Sequence, residues 1–222
     1  MTSKERMLLA FTNRQADMVP VAPDISNMIP ARLTGKPFWD IYLRENPPLW
    51  RAYIDAVCYF GFDGWVQYGG SIEFLPNIED RDFSTEIIKR TSDRIITLTR
   101  FMTPAGELTK ETTYYKADPP TTTRKWIKDL KEDMPKLAYF FPKRTSYDDS
   151  VLKEQQRLMG EDGVVGPVIG LPGFQNLFGW FDGGLPNVTY AYYDQYELLR
   201  EFVSWQEADL LRQAEMIIDA KP

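Results

Sequence analysis

Few side chains in this protein can carry chemistry. The sequence contains no histidine and a single cysteine, Cys58. That excludes Ser-His-Asp and Cys-His catalysis, an imidazole metal ligand, an internal disulfide and a Cys-cluster metal site. Proton transfer, hydrogen bonding and charge must come from Asp, Glu, Tyr, Asn, Gln, Arg or Lys. Position selects among these. Three short apolar runs, at 19–22, 65–68 and 164–169, read as buried strands, each followed by helix. In a parallel β/α fold the chemistry gathers past the C-terminal ends of the strands. This selects Asp24 and Asn27 after the first run, Tyr68 and Gly69 after the second, and Gln175 and Asn176 after the third. Asp24 could position a substrate or take a proton; the bland alternative is a helix N-cap. Tyr68 could bind or donate a proton, or simply pack. Gln175 and Asn176 follow a Gly-Leu-Pro-Gly loop whose backbone can approach a ligand, or they cap the next helix. Phe174, Phe178, Trp180 and Phe181 could wall an aromatic ligand or belong to the core. Asp63 sits in Gly61-Phe62-Asp63-Gly64, before its strand, where a structural turn suits it. Cys58, among Tyr53, Val57 and Phe60, is expected to be a buried, inert thiol.

The elements that must position these residues follow from pattern. Thr2 and Glu5 have capping-box spacing, and Met7, Leu8 and Phe11 continue as a short helix. Pro20 and Pro23 forbid a helix, so a strand ending at Ala22 is expected, then a helix over 26–33 stopped by Gly35. Residues 39–60 hold two helical pieces separated by Asn46-Pro47-Pro48. In the second, Leu49, Tyr53, Ala56 and Tyr59 or Phe60 line one face. The runs at 84–90, 94–102 and 107–116 read as an antiparallel meander inserted at 84–116, with Thr103-Pro104-Ala105-Gly106 as a turn. As a lone ribbon it is expected on the surface. Amphipathic helices are expected at 128–141 and 147–159, a loop-helix at 174–181, and a long helix at 195–219. Strand-then-helix order predicts an α/β class, a partial TIM-type (β/α)8 barrel, as one domain over 1–222. A complete barrel takes about 250 residues. With the meander consuming length, the parallel sheet is expected to be unfinished, with an edge that another copy or a second chain must cover.

Net charge is −6 over 222 residues, with 43% apolar and 26% charged side chains. The acidic balance argues against nucleic acid, which needs clustered Lys and Arg. No run approaches the ~18 consecutive apolar residues of a membrane helix. Residues 1–14 lack the apolar centre of a signal peptide, so a reduced cytoplasmic protein is expected.

Several motifs in this order resemble a known family. Ser3-Lys4-Glu5-Arg6-Met7-Leu8-Leu9-Ala10-Phe11, followed by Ala16-Asp17-Met18-Val19-Pro20-Val21, resembles the opening of the uroporphyrinogen decarboxylase superfamily. Gly61-Phe62-Asp63-Gly64 resembles its second β/α boundary, and Gly166-Pro167-Val168-Ile169-Gly170 with Asp182-Gly183-Gly184 its third. The insert with its turn from Thr103 to Leu108 is similar to the branch of corrinoid-dependent methyltransferases and O-demethylases. The resemblance implies a TIM-type barrel, of which this chain is the N-terminal half to two-thirds. It also implies methyl transfer involving a small methylated substrate, a corrinoid and zinc, with a corrinoid protein as partner. Asp24 and Tyr68 would then be catalytic, and Asn27, Gln175, Asn176 and Trp180 would bind substrate. The decarboxylases' Arg-Gln-Ala-Gly-Arg-Tyr motif is absent: the run here is Pro23-Asp24-Ile25-Ser26-Asn27-Met28. Trp180 stands roughly where they carry a tyrosine. Porphyrinogen decarboxylation is therefore disfavoured. The zinc ligands of the methyltransferases, His and Cys of the later barrel, have no counterpart here. A non-catalytic protein acting by association is the alternative.

Overall fold

The structure, a computed structural model, describes residues 1–66, 72–76, 82–171 and 173–220. Helix α1 (Ser3–Phe11) begins on the expected capping box: the Thr2 hydroxyl accepts from the Glu5 amide at 3.2 Å, and the Glu5 carboxylate accepts from the Thr2 amide at 2.9 Å. The segment after it is extended but forms no strand at 19–22, a correction to the expectation. Pro20 and Pro23 have no N–H to offer a ladder. Helix α2 (Met28–Leu33) starts two residues later than expected, because Ser26 has φ 48° and cannot lie in a helix. Helix α3 (Phe38–Tyr42) is short. Helix α4 (Leu49–Phe60) stops at Gly61, whose φ of 68° favours glycine. Its buried face is Ala52, Tyr53, Ala56 and Val57, while Tyr59 and Phe60 are exposed, which corrects the face expected from spacing.

The remaining elements are β1 (Gly64–Val66), β2 (Glu73–Pro76), β3 (Asp82–Arg90), β4 (Arg94–Thr103), β5 (Gly106–Tyr115), β6 (Thr121–Arg124), α5 (Leu130–Leu137), β7 (Arg144–Asp148), α6 (Ser150–Met159), β8 (Gly163–Val165), α7 (Phe174–Leu177), α8 (Leu185–Asp194) and α9 (Tyr196–Ala220). Among the described residues they form three sheets: β1 with β8, β2 with β7, and the order β3-β4-β5-β6. The first is parallel, from Gly64 opposite Gly163 to Val66 opposite Val165. It joins the second and third expected strands. Residues 67 and 68 lie outside the described residues, and β8 stops before 166–169 because Pro167 cannot donate. The antiparallel β2–β7 pair was not expected, and β7 takes residues that spacing assigned to the start of a helix. The meander is present in place and sense, extended by β6.

The meander is not a surface appendage. Phe101 on β4 and Leu108 on β5 are buried with Trp126, Leu137, Leu199 and Phe202, so the sheet packs on α5 and α9 in the largest core. A second cluster joins α4, β1 and α6 through Tyr53, Val57, Val66 and Met159. The fold is thus mixed α/β, with helices, antiparallel sheets and one parallel pair, and no closed barrel among the described residues.

Candidate functional site

Three of the motif segments meet at one guanidinium. Arg6, on α1, donates from Nε and Nη2 to the two oxygens of Asp17 at 2.8 and 3.1 Å, and from Nη1 to Asp63 Oδ1 at 2.5 Å. The other Asp63 oxygen accepts the Val21 amide at 2.7 Å, and the Asp63 amide donates to the Val21 carbonyl at 2.9 Å. Asp63 is buried and α1 covers it. Burial works to raise the Asp63 carboxyl; the Val21 amide, the Ser3 hydroxyl and Arg6 outweigh it and hold the group below the usual carboxylate range. Asp17 is held low chiefly by its bonds to Arg6, and the Arg6 guanidinium is pushed above its ordinary value by Asp17 first and Asp63 second. Every member is therefore charged and locked at neutral pH. The cluster fastens α1 and the 17–21 segment to the entrance of β1; it has no proton to exchange. Asp63 holds the structural place that its position before the strand suggested.

The fastened segments run side by side. Val21 bonds to Asp63, and β1 continues into its pairing with β8, so the chain passes 21, 63–66 and 163–166 as successive neighbours. The pairing is unusually close at one point. A Cβ on Gly163 would come within 2.5 Å of Gly64 Cα, so only glycine fits there. Gly64 donates to the Asp162 carbonyl and Gly166 to the Val66 carbonyl, at 2.8 and 2.9 Å. Alternation along a strand then turns the Val165 N–H to the opposite edge. Among the described residues no strand pairs with that edge. Beside it lies a cleft of about 360 Å³ lined by Lys4, Leu8, Gln156, Met159, Val164 and Val165. Apolar side chains stand exposed along the same three segments: Val19, Val21, Trp65, Val168 and Leu171.

The residues singled out from the sequence hold the following local places. Asp24 is exposed, and its Oδ1 accepts the Ser26 amide at 2.7 Å in a local turn, so it does not cap α2. Asn27 takes the capping position but makes no side-chain cap bond there. Tyr68 and Gly69 lie outside the described residues. Gln175 is exposed and Asn176 half-buried within α7, whose N-cap position is held by Gly173, so neither caps it. Trp180 packs in the aromatic core, with ring centroids 5.1 Å from Phe140 and 5.3 Å from Phe202. Cys58 is exposed rather than buried, a correction: it lies one residue past Val57, about 100° around the helix from the buried face. Its sulfur lies 3.6 Å from Asp162 Oδ2, and burial and then that carboxylate push the thiol above its ordinary value. Arg6 and Asp17 were missed as a pair. Both stand in the motif segments, but eleven positions apart, and only the third partner, Asp63, reveals their role.

The implied zinc does not fit what the described residues offer. The chain has no histidine, and no group of three or more His, Cys, Asp or Glu that could hold a metal occurs among the described residues. The cleft beside β8 has small-molecule dimensions. No described helix is long and apolar enough to cross a membrane. The chain matches no family model, no curated protein and no solved structure.

Proposed function

We propose that this protein supplies the opening units of a uroporphyrinogen decarboxylase-like β/α barrel and works by association. A further polypeptide extends the parallel sheet at the free edge of β8, and methyl transfer with a small methylated substrate takes place in the assembled barrel. The observation that carries this reading is the open parallel pair: among the described residues the outer edge of β8 has no strand partner, a cleft lies beside it, and Val168 and Leu171, which follow β8, are exposed. An unpaired strand edge is a template for a further strand. The motif order supports the family, since the segments that resemble it meet at Arg6, Asp17 and Asp63.

In that assembly zinc and corrinoid belong to the other polypeptides, and this chain contributes walls and hydrogen bonds from Asp24, Asn27, Gln175 and Asn176. The engagement of Asp24 in a local turn with the Ser26 amide favours a second reading, association without chemistry. One experiment separates the two. The native assembly, isolated through this chain, is mixed with methylcobalamin and a thiol acceptor, and the corrinoid spectrum is followed. Demethylation that stops when the chain is depleted supports the transferase. An assembly that forms but leaves the corrinoid methylated supports association alone. A chain that occurs by itself, with β8 covered, contradicts both.

A further inference from the structure

A different edge carries a separate inference. Strand β3 is nine residues long, and all nine are exposed, although β4 and β5 beside it bury one face. The register places Phe83, Thr85 and Ile87 on the face that carries buried Phe101 and Thr97. Phe83 stacks on Phe101 and its ring meets Phe140, yet Phe83 is 45% and Ile87 53% exposed, so the cover over β3 is only partial. Among the described residues no strand pairs with its outer edge. A long, unpaired edge with exposed Phe and Ile side chains is a template for another strand.

The sequence of that edge is complementary to itself. Laid antiparallel on its own copy with Thr85 on the twofold axis, Phe83 falls opposite Ile87, Thr85 opposite Thr85, and Ile87 opposite Phe83. Aromatic against β-branched and Thr against Thr are favourable cross-strand pairs. Asp82 then lies diagonal to Arg90 of the other copy, opposite charges at the two ends of the ladder. Glu86, the remaining acid, is already neutralised by Arg100 at 3.2 Å. The register irregularity between Ile87 and Lys89 falls where this ladder would end, so it terminates the pairing rather than interrupting it. We infer that two copies of this chain join edge to edge through β3, antiparallel about Thr85, into one continuous sheet. This contact is independent of the β8 edge and of any chemistry.

The test uses the full chain in a Cys58→Ser background, because Cys58 is exposed. On the axis, paired Cα atoms lie about 4.5–5.5 Å apart, within disulfide reach. At Ile88, equally exposed, they would be about 20 Å apart. Sedimentation at low micromolar concentration should show a dimer; Thr85→Cys should cross-link on mild oxidation and Ile88→Cys should not. Ile87→Lys, with its circular dichroism unchanged, should sediment as a monomer. A parent chain that stays monomeric overturns the inference. So does a dimer that survives Ile87→Lys, or one in which Ile88→Cys cross-links as readily as Thr85→Cys. Should Ile87→Lys fail to fold, the cysteine pair alone decides.

Discussion

At the scale of single residues, the stability of this protein turns on one carboxylate. Asp63 receives a guanidinium and a backbone amide while almost wholly buried. Removing it leaves the Val21 N–H and one arm of Arg6 without partners. Asp63→Ala should therefore lower unfolding free energy by about 1–3 kcal/mol in denaturant titration. Asp17 and Asp63 are both held below ordinary carboxylate values. Their stabilisation is complete above the unfolded carboxylate range and is lost as pH falls through the lowered folded values. Melting temperature should drop as pH is taken below about 4, and Asp63→Asn should flatten that drop. A profile identical in the two proteins would show that Asp63 is not titrating in this way. Cys58 gives a second residue-scale expectation. Its thiol is accessible yet pushed upward by burial and by Asp162, so alkylation near neutral pH should be slower than for an unfolded control. Asp162→Asn should speed it. Equal rates in the parent chain and the variant would remove Asp162 from the account.

At the scale of elements, the β1–β8 pair depends on the absence of a side chain. Gly163→Ala would drive a Cβ into Gly64, so the strands must part or the backbone must shift. A cost of about 1–3 kcal/mol is expected, with loss of protection from hydrogen exchange at Gly64 and Gly166, whose amides cross between the strands, while the meander stays protected. Uniform loss across both sheets would mean that the two cores unfold as one. How far the elements were legible follows from the same physics. The meander was readable because three runs of strand-forming residues are separated by turn residues, and a turn such as Thr103-Pro104-Ala105-Gly106 has few alternatives. Residues 19–22 look like a strand by apolarity, but Pro20 and Pro23 leave too few donors, and only one backbone bond to Asp63 survives. The β2–β7 pair was invisible because β2 is four residues and β7 five, too short for a period to declare itself. Cys58 was misplaced by a single position on α4, a rotation that turns a buried site outward.

At the scale of the whole molecule, the candidate site was less legible than the fold. Residue type and strand order named Asp24, Asn27, Gln175, Asn176 and Trp180, but local turns and core packing claim Asp24 and Trp180. The tertiary contact joining Arg6, Asp17 and Asp63 spans 57 residues and has no local signal. What the molecule does present is two strand edges without a partner among the described residues: an exposed β3 at one end of the meander, and the outer edge of β8 in the parallel pair. The central claim is that β8 waits for another polypeptide. Amide hydrogen exchange at Val165 tests it most directly. In the chain by itself, the Val165 amide should exchange orders of magnitude faster than the inward-turned amide of Gly166, and it should slow to match Gly166 in the native assembly. A Val165 amide already as protected as Gly166 in the isolated chain would mean that the edge is closed from within, and would contradict the account.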